Sequence, residues 1–388
     1  MNALRRYRSF LLVLVLGTIV TSFLFNTWVN PWRVTPTPWS STSFEDYRAI
    51  DNQWNRTAKA GLARSGNWKA ALFGSSRVDI ALDPQHPIFR GKPCANLGLN
   101  AANIEENYQI FSYFMENNSP ELVIFTIDPG DLTTPMRKRN LTDYSLSPLD
   151  PHADPLEREL RYHEGISTLA ASFDTLGRQL RQETAKHTPQ GFRRHAAFPE
   201  NQRKLIAGLY LATTTRMVHG RIRYGQLNPE KLDLLDNVIT QCQQTDCRLI
   251  IILTPNHGLF QLSYEELGDP DPFFSLDRKA LAERASEHVE VWDFLGPHPI
   301  NTEALPPAGP HGGHFRYFID LFHATPEVGS LMLDRIQGKD HDYGTRLTID
   351  NLKQRLQQVR QGLNRYRSEH PADVDFLKQS LKAYQPEP

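Results

Sequence analysis

Short, unbroken runs of apolar residues that end in polar or glycine-containing turns constrain the fold of this 388-residue chain most strongly. The clearest run is Leu249-Ile250-Ile251-Ile252-Leu253, which leads into Thr254-Pro255-Asn256-His257. Strands that are buried on both faces show such continuous runs, whereas strands with one wet face alternate. Together with 248–254, further runs at Ala70–Phe73, 93–97, Leu122–Ile127 and 289–294 therefore predict a parallel sheet.

Helical patterns separate these strands along the chain. Residues 101–117 and 281–287 have helical spacing, and Asn228-Pro229-Glu230 and Thr325-Pro326-Glu327 are typical helix starts. The alternation predicts an α/β fold in which helices cover both faces of the sheet. Functional residues of such sheets gather at the carboxyl ends of the strands. That rule selects residues 74–77, 98–100, 128–131 and 254–257.

The N-terminus predicts where the chain resides. Arg5, Arg6 and Arg8 precede an uncharged stretch over residues 10–29, and about 20 helical residues cross the ~30 Å hydrocarbon core of a bilayer. We expect an uncleaved transmembrane anchor whose C-terminal domain lies outside the cytoplasmic membrane, in the periplasm if the source is bacterial. The alternative is a cleaved signal peptide. In that compartment Cys242 and Cys247 form either a local disulfide or two unpaired thiols.

The same patterns divide the chain into segments. We expect a cytoplasmic tail and anchor at 1–32, a linker and lead-in helix at 33–67, a core first part at 68–134, a helical insertion or cap at 135–225, a core second part at 226–340 and C-terminal helices at 341–388. The insertion carries 15 Lys and Arg against 9 Asp and Glu. This basic excess either attracts an anionic polymer or lipid headgroup, or belongs to a solvated helical face.

Whole-chain charge excludes one class of protein. The chain has 43 Lys and Arg against 44 Asp and Glu, a net charge of −1. This balance excludes a strongly cationic nucleic-acid binder, so we expect no nucleic-acid partner.

Two local patterns carry chemistry. In Gly74-Ser75-Ser76-Arg77, directly after a predicted strand, a serine hydroxyl is exposed on a tight strand-to-helix turn, as an acyl-transfer nucleophile requires. Serines at such turns also cap helices routinely. Near the end of the globular part, Asp320 and His323 are three residues apart, so the carboxylate could orient the imidazole over a distant serine.

The combination of these patterns resembles the SGNH (GDSL-like) hydrolase superfamily over roughly residues 68–132 and 245–337. By position, Ser76 matches the nucleophile, Gly98 matches the second-block glycine, and Asp320 and His323 match the last block. The resemblance implies that the N–H groups of Ser76 and Gly98 form the oxyanion hole. The resemblance implies a flavodoxin-like parallel sheet sandwiched by helices. It is strongest to the membrane-anchored extracytoplasmic branch, which includes alginate O-acetylation proteins and the D-alanyl transfer protein of teichoic acid modification.

The sequence departs from the superfamily pattern in two places. Ser75 stands where an Asp usually precedes the nucleophile, a substitution that also appears in the anchored branch. The third block usually supplies an Asn to the oxyanion hole, but the strand here ends in Asp128, whose carboxylate would repel a developing oxyanion. Asn100 is the candidate replacement.

Neighbouring residues are candidates for substrate contact. Arg77 would hold an anionic substrate group or pair with Asp79 or another nearby carboxylate. His257 and His314 would face the same edge of the sheet, although His311 and His314 with Asp320 and His323 are also an alternative metal set. We predict no metal and no organic cofactor.

These observations predict a membrane-anchored serine acyltransferase or esterase that modifies a cell-envelope polysaccharide. The expected partners are the glycan or an acyl donor, a membrane-bound O-acyltransferase, and the membrane itself through residues 10–29. The alternative is a catalytically inactive glycan-binding or assembly subunit beside such an acyltransferase, which the missing third-block Asn favours.

Overall fold

The computed structural model describes residues 2–35, 37–51, 53–136, 143–194, 198–309 and 312–383. The chain forms two compact units. The first comprises residues 1–67 and 139–191, and the second comprises residues 68–138 and 192–388. Of the residues predicted to form an insertion at 135–225, residues 139–191 belong to the first unit, and residues 135–138 and 192–225 belong to the second.

The elements follow one another in this order. In the described residues they are α1 (Asn2–Val29), α2 (Asn55–Ser65), β1 (Ala70–Phe73), α3 (Ser76–Ala81), β2 (Cys94–Asn96), α4 (Ile104–Asn117), β3 (Leu122–Ile127), α5 (Pro155–Glu164), α6 (Ile166–Arg181), α7 (Gln202–Leu205), α8 (Leu211–Tyr224), α9 (Pro229–Gln244), β4 (Arg248–Leu253), α10 (Gly258–Glu266), α11 (Ser275–Ala282), β5 (Val289–Asp293), α12 (Pro326–Gln337), β6 (Thr345–Arg346), α13 (Leu352–Glu369) and α14 (Pro371–Lys382). Short 3₁₀ turns and a π-helical turn at Ile206–Tyr210 connect some of them.

The second unit is built on a six-stranded sheet with the order β2-β1-β3-β4-β5-β6. The first five strands are parallel and β6 is antiparallel to β5. Every residue of β1 and β3 is buried, as is β4 after Arg248, so the unbroken apolar runs of the sequence are explained by burial on both faces. The predicted α/β fold with a mostly parallel sheet is confirmed, while β6 was not predicted.

Helices pack on this sheet as local sequence signals indicate. Asn228 caps α9 by accepting from the Glu230 N–H, α4 packs against α9, and α3 packs against α12. The helix predicted at 281–287 is wrong, because α11 begins at Ser275 and ends at Ala282. The C-terminal helices pack back on the core through contacts of α13 with α11 and of α14 with α10.

The first unit contains the N-terminal apolar helix. One 26-residue segment of α1, Leu4–Val29, is long and apolar enough to cross a membrane, and an 18-residue window within it has a mean hydropathy of 2.1. It packs against α5 and α6. In the segment that follows, which the sequence predicts to be a linker, Val34 and Phe44 are buried and Arg33 forms an ion pair with Glu45 (2.7 Å).

The cysteines of the second unit are free thiols. Cys94, Cys242 and Cys247 are all buried and none forms a disulfide. Contact with the Cys247 thiol and burial raise the pKa of Cys242 well above its ordinary value. Of the two readings of the Cys242 and Cys247 pair, the structure shows unpaired thiols.

Candidate active site

The structure brings the three predicted relay residues together at the carboxyl edge of the sheet. Ser76 is the first residue of α3, directly after β1, and its Oγ lies 2.8 Å from Nε2 of His323. On the other side of the ring, Nδ1 of His323 lies 2.6 Å from Oδ2 of Asp320. Because the carboxylate faces Nδ1, that nitrogen carries the proton and Nε2 is left to accept one from the serine.

Tight packing holds the serine turn in place. A Cβ on Gly74 would lie 2.0 Å from Oγ1 of Thr126 on β3, so only glycine fits between the two strands. Ser75 is the N-cap residue of α3 and its hydroxyl accepts from the Arg77 N–H (3.3 Å). Ser75 therefore has the capping role, and the hydroxyl of Ser76 is left for the histidine.

The Asp320–His323 loop is folded back on itself. Asp320 is fully buried, and its Oδ1 accepts from the backbone N–H groups of Phe322 (2.6 Å) and His323 (2.8 Å). Burial by itself raises the pKa of the Asp320 carboxyl, but the His323 ring, the Tyr210 hydroxyl and the Phe322 N–H together hold that pKa below its ordinary value. The carboxylate is thus ionised and fixed in position.

Two residues that sequence reasoning missed support this loop. The side-chain Nε2 of Gln202 donates to the carbonyls of Phe318 (2.9 Å) and Ile319 (2.7 Å), while its Oε1 accepts from the Phe315 N–H. Tyr210, at the end of the π-helical turn, places its ring 6.4 Å from that of His323. Burial, and then the charge of Asp320, raise the pKa of the Tyr210 hydroxyl, so it remains a donor to the carboxylate.

Arg77 is bound within the protein rather than presented to a ligand. Its side chain is 9% exposed, Nη1 donates to Thr254 Oγ1 (3.0 Å) and Asn256 Oδ1 (2.5 Å), and Nε lies 3.4 Å from Oδ2 of Asp128. Of the two roles predicted for Arg77, the structure supports pairing with a carboxylate. The partner is Asp128, and the guanidinium ties together the ends of β1, β3 and β4.

One of the predicted oxyanion donors is engaged within the protein. The Gly98 N–H donates to Asn96 Oδ1 (3.0 Å), so a role at an oxyanion would require that bond to break. Asn100 accepts through its side-chain oxygen from Arg193 (3.1 Å), which also pairs with the buried Asp79 (2.8 Å), and this bond does not use the amide N–H that would donate to an oxyanion. Gly98 is nevertheless sterically required, because a Cβ there would lie 2.6 Å from the Asp79 nitrogen.

His257 does not line the site, which corrects the prediction that it contacts substrate. It is fully buried and caps α10, and its ring nitrogens face the Leu259 N–H (3.3 Å) and the Glu303 carbonyl (2.8 Å). Burial lowers its pKa to about 4, so the ring is neutral at pH 7. Its ring packs against Phe315, with 4.6 Å between centroids.

The remaining predicted histidines lie apart from the relay contacts. His314 is exposed and packs against Phe198, with 5.1 Å between ring centroids, and His311 lies outside the described residues. Among the residues that the structure describes, no group of three or more His, Cys, Asp or Glu side chains is placed to hold a metal ion.

A cavity of about 330 Å³ opens at the end of β3. Its walls include Asn103, Asp128, Gly130, Arg221 and Tyr264. Within the described chain, Ser76 and His323 are not among its lining residues, but Asp128 connects the two places because it also pairs with Arg77. The cavity therefore lies at the edge of the sheet where the relay lies, as a substrate-binding recess of this fold would.

Comparison with known proteins adds no family to this geometry. No model of a known protein family matches the chain, and a search of curated proteins finds no match.

Proposed function

We propose that the protein is a membrane-anchored serine acyltransferase or esterase that acts on a cell-envelope polysaccharide outside the cytoplasmic membrane. The observation that carries the proposal is the continuous relay from Ser76 Oγ through the His323 ring to Asp320. Ser76 and His323 are 247 positions apart. Ser76 is the first residue of α3 directly after β1, and Asp320, which holds the His323 ring, is fully buried, so chance contact between solvated side chains is a poor explanation.

The relay supports a two-step transfer in which atoms balance. Ser76 Oγ attacks the carbonyl carbon of an acyl ester as its proton passes to Nε2 of His323, and Asp320 stabilises the imidazolium. The C–O bond to the leaving alcohol then breaks and that alcohol takes the proton from Nε2. In the second step a sugar hydroxyl or water attacks the acyl-serine carbonyl and gives its proton to Nε2 of His323. The bond from the acyl carbon to Ser76 Oγ then breaks, and Oγ takes the proton back from Nε2.

The resemblance to SGNH hydrolases supports the substrate class, and two features of the structure agree with that resemblance. The strand order 2-1-3-4-5 is that of flavodoxin-like sheets, which the resemblance implies. The uncharged part of α1, which follows Arg5, Arg6 and Arg8 in the same helix, supports an anchor that leaves the second unit outside the cytoplasm.

The experiment is covalent labelling of the full chain in detergent with a fluorophosphonate, together with hydrolysis of 4-nitrophenyl acetate. The wild type should be labelled and active, and Ser76→Ala should lose both properties. Ser75→Ala is the matched control, because it removes the neighbouring hydroxyl that only caps α3, and it should stay labelled. Equal labelling of wild type and Ser76→Ala would refute the proposal.

A non-catalytic glycan-binding or assembly subunit is the second candidate function. It is favoured by the acyl-oxygen side of the site, where an oxyanion would form, because the Gly98 N–H donates to Asn96 and Asp128 replaces the usual Asn. For such a protein, Ser76→Ala would leave glycan binding unchanged while no ester hydrolysis or labelling would be seen in the wild type.

A further inference from the structure

The N-terminal unit presents large apolar side chains to solvent beside the apolar helix. On α5 these are Leu156 (69% exposed) and Leu160 (55%), and on α6 they are Ile166 (86%) and Phe173 (58%). Ile166, Ala170 and Phe173 follow one another at spacings of four and three residues, which aligns them on one face of α6. Soluble surfaces rarely expose such a contiguous apolar stripe without a partner.

The hairpin formed by α5 and α6 contacts α1 at a defined position along the axis of that helix. Its tip lies at Glu164–Ile166, where the Ser22 hydroxyl donates to the Glu164 carboxylate. Phe23 packs against His163 with 5.0 Å between ring centroids. The tip of the hairpin is therefore level with Ser22 and Phe23 of the apolar helix.

The hairpin also satisfies the polar groups on this part of α1. Asn26 Nδ2 donates to the His163 carbonyl (2.7 Å), and Asn26 Oδ1 accepts from Ser172 (3.0 Å). In hydrocarbon, such groups need a protein partner because water is absent. The polar face of α1 is thus turned towards the hairpin and away from lipid.

Length arithmetic places this contact inside a membrane that α1 spans. Arg8 cannot enter the hydrocarbon, and about 20 helical residues are needed to cross ~30 Å, so a span that begins at Ser9 ends near Trp28. Ser22 precedes Trp28 by six residues, or about 9 Å along the helix axis. Ending the span at Ser22 instead would leave a helix of about 20 Å, too short to cross.

From this geometry we infer that the tip of the α5–α6 hairpin is inserted into the bilayer leaflet on the Trp28 side, with Leu160, Ile166 and Phe173 in contact with lipid acyl chains. The tip of the hairpin would lie about 9 Å below the Trp28 end of the span. Amphipathic interfacial helices are buried to a similar depth of 5–10 Å. The occupant of the apolar face is lipid, because that face continues the apolar surface of α1: Phe173 packs against Phe25 with 4.9 Å between ring centroids, next to the exposed Leu24. The inference rests on the proposed membrane anchor.

Site-directed spin labelling of the full chain tests the inference. The native cysteines are buried, so a nitroxide reagent reaches an introduced cysteine in Val15→Cys, Ile166→Cys, Phe173→Cys or Asp174→Cys. Each variant is reconstituted into vesicles of phosphatidylethanolamine and phosphatidylglycerol. Asp174 is the matched control, since it is exposed on α6 and lies next to Phe173 but points about 100° away around the helix.

We expect labels at positions 15, 166 and 173 to collide several-fold more with oxygen, which partitions into lipid, than with a water-soluble nickel chelate. The label at position 174 should show the reverse. If position 15 reports lipid while 166 and 173 behave like 174, the hairpin inference is wrong and the anchor stands. If position 15 reports water, the anchor proposal fails as well. Labels at 166 and 173 that are immobilised and shielded from both reagents would mean that protein covers the face, which overturns the inference.

Discussion

The two sides of the candidate active site differ in how their polar groups are used. On the relay side, Ser76, His323 and Asp320 bind one another at 2.8 Å and 2.6 Å and leave the serine hydroxyl ready to lose a proton. On the acyl-oxygen side, where an oxyanion would form, the Gly98 N–H donates to Asn96, and the side-chain oxygen of Asn100 accepts from Arg193. The relay side is arranged for reaction, whereas on the other side the Gly98 donor is engaged within the protein and Asp128 stands where an Asn donor is usual.

This difference separates two requirements of acyl transfer. A relay generates the nucleophile, whereas donors aimed at the developing oxyanion stabilise the tetrahedral intermediate, and the loss of one donor costs about 10²–10³ in rate. A protein with the first and without the second would label with a reactive phosphonate yet turn over esters slowly. Changing each side separately should therefore have effects of opposite sign.

Breaking the relay at its carboxylate should have the largest effect. In Asp320→Asn, the side-chain oxygen still accepts from the Phe322 and His323 N–H groups, but the amide offers N–H rather than an acceptor to Nδ1 of His323. The ring then adopts the wrong tautomer, and we expect kcat for ester hydrolysis to fall by about 10⁴. Circular dichroism checks that the variant is folded.

The control for this prediction is Asp334→Asn, which removes a carboxylate of α12 that pairs with His86. Its rate should equal that of the wild type. An Asp320→Asn rate close to wild type would show that the relay does not work in catalysis, however good its geometry.

Opening the acyl-oxygen side should raise the rate. Asp128→Asn removes a negative charge and supplies the amide that the third block of SGNH hydrolases usually carries, while its oxygen can still accept from Thr254 (3.1 Å in the wild type). We expect kcat to rise by roughly tenfold, less than the 10²–10³ of an optimally placed donor. Asp128→Ala separates loss of charge from gain of a donor. A fall in kcat for the Asn variant would show that the Arg77–Asp128 pair matters more for the rate than the repulsion between the Asp128 carboxylate and a developing oxyanion.

Removing the Tyr210 hydroxyl should have a smaller effect on the relay. Tyr210→Phe deletes one of the groups that hold the pKa of Asp320 down but leaves its two backbone donors. A single hydrogen bond contributes about 0.5–1.5 kcal/mol, so we expect kcat to fall roughly two- to tenfold. Because Tyr210 acts through Asp320, KM should not change. A change confined to KM would instead indicate that Tyr210 contacts the substrate.

The sequence predicted most of the sheet and the relay, because both follow from local signals. The strands appear as apolar runs, and the first and third have the predicted bounds. Asp320 and His323 are three residues apart, so a tight loop is enough to bring their side chains together. Gly74 before the two serines is explained by one close neighbour, Thr126 on β3.

Residues that depend on contacts between distant segments were not predictable. His257 follows a strand, as predicted, but its ring turns inwards to pack against Phe315 and Tyr366. Gln202 and Tyr210 belong to a segment that the sequence indicates only as a helical cap. Their helical spacing does not reveal that they would meet the Asp320–His323 loop more than 100 residues later.

A buried carboxyl group beside the cavity allows a test that does not depend on the relay. Asp277 is fully buried, and its Oδ2 accepts from the Gly130 N–H (2.6 Å) at the cavity, whereas its Oδ1 has no hydrogen-bond partner among the described residues. Burial raises its pKa from 3.8 to about 6. The folded protein therefore binds more protons than the unfolded chain between these values, so the free energy of unfolding falls as pH rises from about 4 to about 6.

The variant Asp277→Asn keeps an acceptor for Gly130 and cannot ionise, so its thermal midpoint should increase relative to that of the wild type between pH 3.5 and pH 7. The increase should correspond to the free energy of a pKa difference of roughly two units. The relay should be unaffected. An equal difference in midpoint at both pH values would show that Asp277 ionises in the folded protein as readily as in the unfolded chain.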